Sequence, residues 1–93
     1  MALARVVSFD GVDQDRVEEM KQQMNEDRPD DIPATEVVML HDAQTEKAVV
    51  VLFFDNEDDY NRADATLSAM PADETPGQRT SVGKYEVAVR ATA

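Results

Sequence analysis

Lys47-Ala48-Val49-Val50-Val51-Leu52-Phe53-Phe54 is the stretch whose reading decides the fold. Seven of its eight residues are apolar, and it stops abruptly at Asp55-Asn56-Glu57-Asp58-Asp59. A run this short, β-branched and aromatic reads as a strand rather than a helix. Val49, Val51 and Phe53 point one way, and Val50, Leu52 and Phe54 the other. Such a strand needs cover on both faces.

Working outward, Thr35–His41 reads as the strand before it, with Val37-Val38-Met39-Leu40 apolar on both sides. The polar link Asp42-Ala43-Gln44-Thr45-Glu46 is short enough to join the two as an antiparallel hairpin, although it lacks the Asn-Gly of a two-residue turn. Ala4–Asp10 is a first strand, with Arg5, Val7 and Phe9 on one face and Ala4, Val6 and Ser8 on the other. Asp13 is placed to cap a helix reaching about Asn25, with Val12 and Val17 set for a hydrophobic staple. Val17, Met20 and Met24 form its apolar stripe. Arg28-Pro29 ends it, and Pro29–Pro33 is a loop by composition. Asp55 or Asn56 caps a second helix, whose acidic first residues suit its positive end. Its stripe is Tyr60, Ala63, Leu67 and Met70, and Pro71 stops it. Ala72–Thr80, with Pro76-Gly77, reads as a loop. Ser81–Ala91 reads as a half-exposed last strand in which Tyr85, Val87 and Val89 alternate with polar residues.

The order β-α-β-β-α-β predicts an α+β fold: a ferredoxin-like, four-stranded antiparallel sheet with both helices on one face. All 93 residues form a single domain. The reverse face of that sheet would then expose half a dozen large apolar side chains, each worth about 1.5–3 kcal/mol when buried. A contiguous patch of that kind marks an interface. With no third helix to supply cover, the expected partner is a second copy, related by a two-fold axis that packs sheet on sheet.

Composition narrows the function classes. The chain carries 20 acidic and 9 basic residues, a formal charge of −11. There is no Lys/Arg cluster of the kind that nucleic acid or an anionic membrane surface requires, so neither is an expected partner. No cysteine is present, which removes disulfides and thiolate chemistry and fits a cytoplasmic location. No apolar run approaches a membrane span. The apolar part of the N-terminus is too short for a signal peptide.

The apolar third strand ending in Phe53-Phe54-Asp55-Asn56-Glu57-Asp58 and the tail Arg79-Thr80-Ser81-Val82-Gly83-Lys84-Tyr85-Glu86-Val87 resemble the dimeric α/β-barrel superfamily. Within it, the chain is most similar to small antibiotic-biosynthesis-monooxygenase-like domains, over about Ala4 to Arg90. The resemblance implies the barrel homodimer and a cleft between sheet and helices in each protomer. It leaves function open among cofactor-free oxygenases, haem-degrading enzymes, isomerases and members without activity. The haem-degrading branch has an Asn, Trp and His pattern around its cleft. This chain has no Trp, and its single His lies in the second strand, so no catalytic residue carries over.

Three residues are candidate ligand contacts. His41, the chain's single histidine, could act as a base or an axial ligand; the plainer reading is a residue closing the second strand. Tyr85 could offer its hydroxyl to a cleft ligand, or sit in the core with its tip hydrogen-bonded. Arg79 could meet an acidic ligand, or be a surface arginine. The acidic pairs Glu18-Glu19, Asp30-Asp31 and Asp58-Asp59 match no calcium loop, and neither a metal nor a resident cofactor is expected. Three functional readings follow: a homodimer binding a hydrophobic small molecule without catalysis, a cofactor-independent monooxygenase or isomerase, and a haem binder using His41.

Overall fold

The computed structural model describes residues 2–26, 32–69 and 75–91. The elements are β1 (Leu3–Asp10), α1 (Gln14–Glu26), β2 (Glu36–Asp42), β3 (Lys47–Phe54), α2 (Glu57–Ser68) and β4 (Gln78–Glu86). Every strand pairing is antiparallel, and the sheet runs β2-β3-β1-β4. That order is compatible with the ferredoxin-like arrangement. β3 has the bounds its sequence predicts.

Cross-strand pairing assigns the two faces. Leu3, Arg5, Val7 and Phe9 of β1 sit opposite Phe54, Leu52, Val50 and Ala48 of β3. The helices pack on this face. Tyr60, Ala63 and Leu67 of α2 join Leu3, Leu52 and Phe54. Val17 of α1 joins Val7, Phe9, Val12 and Ala48. The Phe54 and Tyr60 rings meet edge to face, 5.4 Å apart. Val50 touches both clusters and links them into one helix-side core. The other face carries Ala4 and Val6 from β1, and Val49, Val51 and Phe53 from β3. Val38 and Leu40 of β2 and Tyr85 of β4 complete it. No helix among the described residues covers it.

Local chemistry explains the element ends. Asp13 Oδ1 accepts from the Arg16 amide at 2.8 Å, the expected cap, and Val12 is fully buried with Val17 against its cluster. Of the two candidate caps for α2, Asn56 is the one used, its side chain accepting from the Asp59 amide at 2.8 Å. In the hairpin, Asp42 Oδ1 accepts from Gln44 and Thr45, replacing the missing Asn-Gly with an Asx-type turn. The connection closes on Glu46 at φ 57°. The Met24 side chain, the Arg28-Pro29 stop and most of the loop after it lie outside the described residues. So do Met70, Pro71 and the start of the loop before β4.

The last strand differs from expectation. It begins at Gln78, three residues before Ser81, and ends at Glu86 rather than Ala91. Among the described residues its only partner is β1, and the ladder runs out where Glu86 meets Leu3. One more bond, from the Val87 amide to the Ala2 carbonyl at 3.0 Å, continues the direction. Beyond that bond no strand ladder among the described residues carries the alternation on to Val89, which is 85% exposed. At the other end, Gly77 lets the chain pass Asp10, where any Cβ would strike the Asp10 carbonyl. A bulge between Ser8 and Phe9 then carries the pairing through Thr80.

Candidate functional site

The helix face of β1 buries one charge. Arg5 alternates with Leu3 and Val7 and is 3% exposed. Its Nε donates to Asp64 Oδ1 on α2 at 2.9 Å. Its Nη2 is buried and has no hydrogen-bond partner among the described residues. Directly across the ladder from Arg5 stands Lys84 of β4. Lys84 Nζ lies 4.9 Å from the centre of the Tyr60 ring and 2.8 Å from Glu57 Oε1. Two cations and a tyrosine thus meet where α2 crosses β1 and β4, each cation paired with a carboxylate of α2.

A cleft of about 470 Å³ opens beside this cluster, lined by Leu3, Asn56, Glu57, Lys84, Tyr85 and Glu86. Sites for small organic ligands are typically about 300–1,000 Å³. Leu3 supplies apolar wall, Asn56 marks the start of α2, and Lys84 is the cross-strand partner of Arg5, which is not itself among the lining residues.

The ionisable groups respond to these neighbours. The hydrogen bond from Lys84 holds the Glu57 carboxyl below its ordinary range, with charge attraction adding to it. The same bond raises the Lys84 ammonium. Burial pushes the Tyr60 phenol up, and the adjacent Asp64 carboxylate pushes it further. Tyr60 is therefore a neutral phenol at neutral pH rather than a base.

The three residues singled out from the sequence do not converge. His41 lies on the helix face at the end of β2, half-buried, with Nε2 donating to the Val12 carbonyl at 2.7 Å. Because a carbonyl only accepts, that nitrogen carries the proton. Arg79 is exposed and pairs with Phe9 at the bulge of β4. The two share one row of the sheet, three strand spacings apart, or about 14 Å. Tyr85 sits five residues along β1 from that row, about 17 Å away, opposite Ala4. It is 58% exposed, and its ring folds back over Gly83 on the helix-free face. Of the three, only Tyr85 borders the cleft. Arg5, Lys84 and Asp64 were missed. The signal for Arg5 was present: an arginine at an inward position of an otherwise apolar strand requires a buried partner.

No group of three or more His, Cys, Asp or Glu side chains capable of holding a metal ion occurs among the described residues. No helix among them is long and apolar enough to cross a membrane. No protein-family model, curated protein or solved structure significantly matches the chain.

Proposed function

We infer that the protein is a homodimeric small-molecule binder of the dimeric α/β-barrel kind, without catalysis of its own. The reading rests on one observation above all: a sheet with two covered faces' worth of apolar side chains and helices on one face only. Val6, Val38, Leu40, Val49, Val51, Phe53 and Tyr85 lie on the side the helices leave open, with Leu40 57% exposed. None of them belongs to either core cluster. A second sheet laid against this face by a two-fold axis would bury it. The cleft beside α2 then takes the ligand, whose apolar part rests on Leu3.

The non-catalytic reading is favoured because the ionisable groups near the cleft are neutralised by one another: Lys84 by Glu57 and Arg5 by Asp64. The phenol between them is moved away from neutrality. A general base would instead be poised near the working pH. Haem ligation by His41 has less support, since its Nε2 proton is committed to Val12.

Sedimentation equilibrium tests the assembly. The expected result is a dimer at micromolar concentration, converted to monomer by Val51→Asp at the centre of the open face. A 10 kDa species unchanged by that substitution sinks the reading.

A further inference from the structure

We propose that the tail after β4 is an autoinhibitory strap: in a single copy it covers the Phe53 end of the open sheet face, and it must lift before a second copy packs there. The strap presupposes the homodimer inferred above and regulates that same interface.

At this end of the open face, one row of residues runs across all four strands. Ala4 of β1 stands between Tyr85 of β4 and Phe53 of β3, and Phe53 stands beside Glu36 of β2. β4 ends at Glu86, and the Val87 amide still bonds the Ala2 carbonyl at the β1 side. Three residues later the Arg90 guanidinium lies over Phe53, 4.2 Å from the ring centre. Its Nη2 stands 3.3 and 3.4 Å from the two carboxylate oxygens of Glu36. The tail has therefore left the direction of β4 and crossed the end of the sheet, with Val89 turned to solvent. Cover on this helix-free face is correspondingly uneven. Ala4, in the strapped row, is 6% exposed, whereas Leu40, four residues along β2 from Glu36, is 57% exposed.

Cover by the strap and burial by a partner exclude each other. Sheets packed face to face stand about 10 Å apart, and their own side chains interdigitate to fill the gap. A guanidinium stacked on Phe53 already fills part of that layer, and it would carry a charge into an apolar contact. The hold is light. A cation over a partly exposed ring adds little, and so does an ion pair whose two side chains are both half exposed. Such a contact raises the concentration at which two copies pair without preventing it. With the strap in place, Val6, Val38, Leu40, Val49 and Val51 stay open, and a second copy makes its first contact there.

Arg90→Ala in the full-length protein tests the strap, read by sedimentation equilibrium and by Arg Nε–H chemical shifts. Arg90 is half exposed and lies outside every helix and strand, so folding is retained. Loss of the anchor should tighten the dimer about tenfold, because each copy no longer has a strap to release. The sign is diagnostic: the substitution removes one positive charge, taking each copy from −11 to −12, and repulsion alone would weaken the pair. In the Val51→Asp monomer, the Arg90 Nε–H resonance should show the upfield shift of a proton held over an aromatic ring, and Phe53→Leu should abolish it. In the dimer of the parent protein that shift should be lost. A dimer that Arg90→Ala leaves unchanged or weakens, or that keeps the ring shift, overturns the strap and leaves the homodimer standing. A chain that stays monomeric both with and without Arg90→Ala overturns the homodimer, and the strap's role with it.

Discussion

Glu46 closes the hairpin in the left-handed region at φ 57°, where a side chain on an L-residue costs about 1–2 kcal/mol. The position is retained because the Glu46 carbonyl accepts from the Val12 amide at 2.7 Å, which locks the hairpin end to the loop leading into α1. Glu46→Gly keeps that bond and removes the strain, at the expense of a more flexible unfolded chain. We expect a net gain of about 0.5–1 kcal/mol, read as a higher denaturation midpoint with an unchanged slope. Arg5 behaves oppositely. Asp64→Ala strands a buried guanidinium and should cost about 2 kcal/mol or more, while the double change Arg5→Met with Asp64→Leu should recover most of the loss. Chemical denaturation of the two variants checks the pair; a double variant no more stable than Asp64→Ala would show that the stranded guanidinium is not what the single change costs. The identity of Arg5 as an inward residue was legible from alternation. Its partner on α2, 59 positions away, was not, because nothing local links them.

At the scale of elements, β3 and the caps were legible because their signals are local. Asn56→Ala should destabilise the protein by about 1 kcal/mol, since the cap is one hydrogen bond to a free amide at the start of α2. The hairpin has a pH signature. The Gln44 backbone amide, then the Thr45 hydroxyl and amide, hold the Asp42 carboxyl below its usual value of 3.8. Its folded-state affinity for protons is thus lower than the unfolded chain's. The stabilisation is present above that value and is lost as pH falls through the lowered one. Asp42→Ala should accordingly show a smaller drop in stability than the parent protein between about pH 6 and pH 3. β4 was misplaced because alternation reports only what a strand would bury and cannot say whether a neighbour reaches it. Val89→Asp should therefore change monomer stability by less than about 0.5 kcal/mol. A loss of 2 kcal/mol or more would restore the strand to Ala91.

For the molecule as a whole, the open face and the chain's charge act in opposition. Each copy carries −11, so a face-to-face pair works against mutual repulsion that salt screens over about 8–10 Å. The proposed dimer should tighten as ionic strength rises from millimolar to molar, by sedimentation; weakening with salt would point to an interface held by ion pairs. The tail after β4 already occupies one end of this face. The Arg90 guanidinium lies 4.2 Å from the centre of the Phe53 ring and reaches Glu36 at 3.3 Å. Phe53 and Glu36 are cross-strand partners on the open side.

From the order of residues alone came four strands and two helices, a sheet apolar on both faces, and the caps that begin each helix. All of these depend on side chains within a few positions of one another. The folded structure decided where β4 stops, which charges meet under α2, and that His41, Arg79 and Tyr85 stand apart. These depend on which strands lie side by side, and the distance between two residues across a sheet bears no relation to their separation along the chain.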